Sequence, residues 1–100
     1  MSCSPAELKR KSDGFLAQWQ SCKGHPVFDS FVEFAVAVSS FTAFLESKGL
    51  SGLHQSARAL EQNVLALFDS WSGDRIPDAM LEELDGQIGE IGARIATFLG

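Results

Sequence analysis

Two stretches of this chain repeat apolar residues at alternating spacings of four and three. Leu53, Ala57, Leu60, Val64, Leu67 and Trp71 form one set. Leu81, Leu84, Ile88, Ile91, Ile95 and Phe98 form the other. An α-helix turns once every 3.6 residues, so each set lies along one side of a helix as a continuous seam. A helix with one apolar seam must bury it against another element. The two remaining segments carry seams of their own. Leu8, Ser12, Phe15, Trp19 and Cys22 form a stripe after Ser4-Pro5-Ala6-Glu7, which reads as a capping box with proline at the first helical position. Phe28, Phe31, Ala35, Val38, Thr42 and Leu45 form another, widened by Phe34 and Phe41.

The punctuation agrees. Gly24-His25-Pro26 stops the first helix, and Pro26 can start the second. Gly49 suits the left-handed residue that closes a helix. Ser51 is placed to cap the third helix, Gly73 to end it and Pro77 to open the fourth. No useful length alternates with a period of two, so no sheet is expected. Four helices of about 17–23 residues with short connections favour antiparallel neighbours. The expected fold is all-α, an antiparallel up-down-up-down four-helix bundle over residues 1–100. A chain of 100 residues suits a single domain. Its last residues, Phe98-Leu99-Gly100, still lie inside the apolar pattern. That is the expectation for an N-terminal module or fragment of a larger protein.

Charge narrows the partners. The formal net charge is −5. An acidic chain repels the phosphate backbone, so nucleic acid is not expected as a partner. Asp78, Glu82, Glu83, Asp85 and Glu90 crowd the last third, as a solvated helix face or a docking surface for a basic partner. The polar N-terminus does not read as a signal peptide. The apolar run over 31–45 is broken by Glu33, Ser39, Ser40 and Thr42, too polar for a membrane span. Cys3 and Cys22 would lie about 28 Å apart along one helix, beyond the reach of a disulfide within the chain. A soluble protein of the reducing cytoplasm is expected.

Catalytic constellations are scarce. Di-metal bundles need Glu-x-x-His pairs facing inward, and no Glu here precedes a His by three. His25 and His54 fall in a connection and near a helix start, with no serine elbow to serve. Gly86, Gly89 and Gly92 follow no strand, so they do not read as a phosphate loop. They suggest a tolerated weak helix or a shallow groove. No metal, cofactor or enzymatic activity is expected. One polar flank remains, His54, Arg58, Glu61 and Gln62, with Leu65 one turn further on.

That flank carries a resemblance. Ala57-Arg58-Ala59-Leu60-Glu61-Gln62, with Leu67 later, resembles the Ala-His-x-Leu-Lys-Gly motif of histidine phosphotransfer domains in bacterial two-component signalling. The alanine and both leucine positions match. Arg58 stands in place of the phospho-accepting histidine. Arginine stays protonated and is no nucleophile. Glu61 reverses the charge of the motif's lysine, and Gln62 fills the space of its glycine. The resemblance implies a degenerate relative that retains docking and has lost transfer. Its partner would be a receiver or output domain, bound through His54, Arg58, Glu61, Gln62 and Leu65. Two alternatives remain: a structural bundle that forms a homodimer or orients a neighbouring domain, and active phosphotransfer through His54. The first draws on Leu65 and Phe68, which exceed what one core holds.

Overall fold

A computed structural model of the chain describes residues 5–70 and 76–99. It is a four-helix bundle: α1 (Pro5–Gly24), α2 (Phe28–Ser47), α3 (Ser51–Ser70) and α4 (Asp78–Leu99). No strand occurs among the described residues. The expected caps at Ser4 and Gly73, the seam residue Trp71 and the cysteine Cys3 lie outside them.

Each helix packs against its two neighbours in the cycle α1–α2–α3–α4–α1, with no close backbone approach across either diagonal among the described residues. Side chains link the end of one helix to the start of a neighbouring one. Lys48, just after α2, meets Glu7 at the start of α1, with Nζ to Oε1 at 3.1 Å. His54, early in α3, meets Glu46, late in α2. These pairs set the end of α2 beside the start of α1 and beside the start of α3.

The core is built from the seams. Leu8, Ser12, Phe15, Trp19 and Cys22 of α1 are all buried, as their spacing predicts. So are Leu53, Ala57, Leu60, Val64 and Leu67 of α3. In α4 the seam is buried from Leu84 to Ile95. Its ends differ from expectation: Leu81 is half-buried and Phe98 is 53% exposed. In α2 the burial centre shifts. Phe34 and Phe41 are buried with Phe31, Val38, Thr42 and Leu45. Phe15 stacks on Phe41 at 4.9 Å, and Trp19 packs on Phe34 at 4.9 Å. These aromatics of α1 rotate α2, leaving Ala35 half-buried and Phe28 46% exposed.

Helix α2 is long and apolar enough to cross a membrane by length and composition, with a mean hydropathy of 1.4. Sequence reading took the same segment as too polar to span. In this fold Phe31, Phe34, Val38, Phe41 and Leu45 supply one wall of the core, while Val32 and Val36 stay outside it.

The helix ends follow local chemistry, with two corrections. Gly49 has φ +71°, the left-handed conformation expected of it. Leu50 N–H then donates to the Leu45 carbonyl at 3.1 Å, closing α2. The first carbonyl of α3 to accept, however, is that of Leu50, from His54 N–H at 2.8 Å. Ser51 is therefore the first residue of the helix and not its cap. Likewise Val27 and not Pro26 precedes α2, its carbonyl accepting from Phe31 N–H at 3.0 Å. The Pro77 carbonyl accepts from Met80 and Leu81, so proline does open α4.

The connections at the other end of the bundle are sewn together. Ile76 N–H donates to the Pro26 carbonyl at 3.0 Å, and the Ile76 side chain is fully buried.

Candidate protein-docking face

Helix α3 presents its polar flank beside α2. Two contacts fix the register of these helices. The Phe28 and Phe68 rings meet edge to face at 5.7 Å, and His54 Nε2 lies 3.3 Å from Glu46 Oε2. Between these rungs, helical geometry sets Leu65 at the level of Val32, Glu61 at that of Val36, and Arg58 at that of Ser39 and Ser40.

The sequence-predicted residues therefore share one face but differ in state. Arg58 and Gln62 are exposed, Glu61 is half-buried, and Leu65 is 54% exposed. Arg58 makes no hydrogen bond or ion pair among the described residues. His54 is the exception. Its side chain is largely covered, 18% exposed, and its Nε2 is turned to a carboxylate. Phe68, expected to overfill the core, packs on Phe28 and on Phe31, the latter at 4.9 Å.

Sequence reading missed the α2 side of this face. Val32 and Val36 are 38% and 61% exposed. Phe28 and Leu65 are exposed as well, so exposed apolar side chains lie on both sides of the α2–α3 boundary. Their excess over the α2 seam was visible in the sequence. Which of the many apolar residues of α2 would be left outside was not.

Two grooves lie elsewhere. One of about 190 Å³ sits between α3 and α4 beside Asn63, Met80 and Glu83. A wider one of about 650 Å³ opens where the α2–α3 turn meets the end of α4, beside Leu50, Leu53, Arg94 and Phe98. Neither includes His54, Arg58, Glu61, Gln62 or Leu65. The glycines of α4 form no tight cradle: a Cβ added at Gly86, Gly89 or Gly92 would meet nothing within 4 Å.

The acidic C-terminal third divides in the fold. Asp85 Oδ1 accepts from the buried Trp19 indole N–H at 2.9 Å and from Lys23 Nζ at 3.0 Å. The Trp19 bond first, then that of Lys23, holds the Asp85 carboxyl below its ordinary value. Glu90 pairs with Arg94 at 3.3 Å. Asp78, Glu82 and Glu83 stay on the solvent side of α4. Among the described residues, no three His, Cys, Asp or Glu side chains group as metal ligands.

Compared with known proteins, the chain matches no family model, no curated protein and no solved structure.

Proposed function

We propose that the chain is a non-catalytic interaction module of the phosphotransfer type, docking a receiver or output domain of a bacterial signalling protein on its α2–α3 face. The observation that carries this reading is Arg58. It is exposed, lacks an internal partner among the described residues, and occupies the position of the phospho-accepting histidine in the motif it resembles. A guanidinium offers five donors in a planar fork and keeps its charge at cellular pH. It suits the acidic pocket of a receiver, where a phosphohistidine would otherwise deliver its group. The exposed apolar residues further along the same two helices would add area to such a contact.

Transfer through His54 is the weaker reading. The Glu46 carboxylate beside Nε2 repels an incoming phosphoryl group. The dimerising bundle draws on the exposed Phe98 at the end of α4, away from Arg58.

Titration of an isolated receiver domain tests the proposal. Arg58→Ala should leave the melting temperature within the effect of about 0.5 kcal/mol typical of a surface change. It should weaken receiver binding roughly thirtyfold or more, the loss of about 2 kcal/mol expected of an anchor. A large loss of stability with binding intact would make Arg58 structural. Acid-labile phosphate on the chain after incubation with a phosphorylated receiver would overturn the non-catalytic reading.

A further inference from the structure

The exposed apolar side chains of the α2–α3 face, taken as one patch, have a charged frame. Asp29 and Glu33 lie within one turn of Val32 and Val36 on α2. Asp69 and Glu61 lie one turn to either side of Leu65 on α3. None of the four carboxylates makes an ion pair or hydrogen bond among the described residues. Elsewhere on the bundle Asp13 is paired with Lys9, Asp85 with Lys23, Glu7 with Lys48 and Glu90 with Arg94, and the exposed Asp78, Glu82 and Glu83 of α4 are unpaired among the described residues but border no exposed apolar side chain of α2 or α3. Arg58, the one cation on this face, sits beyond the patch at the level of Ser39 and Ser40.

An exposed apolar patch marks a surface to be covered. Its border states what can cover it, because like charges brought together at an interface are costly and opposite charges steer association. We propose that this patch takes an amphipathic helix whose apolar stripe is bordered by lysines or arginines. Such a helix would lay its stripe along the shallow boundary between α2 and α3, over Phe28, Val32, Val36 and Leu65. Its cations would meet Asp29, Glu33, Glu61 and Asp69. A second copy of this chain fits poorly, since two patches face to face would bring both sets of unpaired carboxylates together. The inference rests on the α2–α3 face being a docking surface, but it does not depend on Arg58.

Two synthetic helical peptides about five turns long test it, with the same leucine stripe and either lysines or glutamates along its borders. Binding to the full chain is measured by fluorescence anisotropy at low and physiological salt. The lysine-bordered peptide should bind at least about tenfold tighter, a difference of about 1.4 kcal/mol, with a preference that shrinks as salt rises. Asp29→Asn, Glu33→Gln and Asp69→Asn combined should abolish the preference. Asp78→Asn, Glu82→Gln and Glu83→Gln combined remove the same amount of charge from α4 and should leave it intact. Leu65→Ser and Val36→Ser, each confirmed as folded by circular dichroism, should weaken both peptides. Equal loss from the α4 variant would reduce the effect to net charge and overturn the inference. Equal affinity for the two peptides, still weakened by Leu65→Ser, would overturn the basic partner alone and leave the docking face standing. Indifference to both Leu65→Ser and Val36→Ser would overturn the face itself. So would a dimer in sedimentation that Leu65→Ser dissociates while neither peptide binds.

Discussion

Trp19 is 1% exposed, yet its indole N–H needs an acceptor, and among the described residues the one provided comes from 66 positions away. Asp85→Ala would leave that donor buried and unpaired, at a cost of about 1–3 kcal/mol in urea unfolding. Asp85→Asn keeps an acceptor and should lose less. The pH dependence has a definite sign. The Asp85 carboxyl is lowered in the folded state, so its stabilisation is fully present above the unfolded value of about 3.9. It is lost as pH falls through the lower folded value, so wild type and Asp85→Asn should converge in stability as the solution is acidified below about pH 4. Cys22 offers a second test. Burial pushes its thiol up to about 11 and leaves it 1% exposed. In a Cys3→Ser background it should resist a thiol reagent at pH 8 until denaturant unfolds the bundle. Rapid native labelling would mean that α1 does not seat as described. Neither the Trp19–Asp85 bond nor the burial of Ile76 could be read along the chain. The first joins helices far apart in sequence, and the second belongs to a connection with no period to reveal it.

Glycine takes opposite roles in different elements, and the same substitution separates them. At Gly49 φ is +71°, where a Cβ clashes with the backbone, so Gly49→Ala should destabilise by about 1–2 kcal/mol. At Gly89, inside α4, a Cβ meets nothing within 4 Å, so Gly89→Ala should stabilise by about 0.8–1 kcal/mol. Thermal melts of the two variants should therefore move in opposite directions. The seams of α1 and α3 were legible because a single apolar side alternates with polar residues, leaving one rotation of each helix that buries it. Helix α2 was only partly legible. Phenylalanine and valine lie nearly all round it, so its rotation was decided by Phe15 and Trp19 packing from α1. That choice left Phe28, Val32 and Val36 outside and completed the proposed docking face. The α3 half of the face could be proposed from spacing alone. The α2 half depended on tertiary packing, which periodicity does not encode.

At the scale of the whole molecule, charge and apolar exposure are distributed unevenly over a bundle 44 × 22 × 19 Å in extent. The α2–α3 boundary carries the apolar patch, and α4 carries solvent-facing carboxylates without one. The backbone bond from Ile76 to Pro26 has a consequence of another kind. It joins the two connections at one end, while Gly49 alone turns the chain at the other. A cut at Gly49 would divide the bundle into two pairs of helices, α1 with α2 and α3 with α4. The covalent link at Gly49 aligns these halves, but the contacts that hold them lie elsewhere. Fragments 1–48 and 50–100, each too small to bury its own seams, should be largely unstructured apart and gain helical signal when mixed. A mixture that stayed unfolded would show that tethering, and not the fit between halves, holds the molecule together. If the halves do reassemble, then at concentrations too low for them to meet unaided the protein can report on proximity, its fold restored where two fused partners bring the pieces within reach of each other.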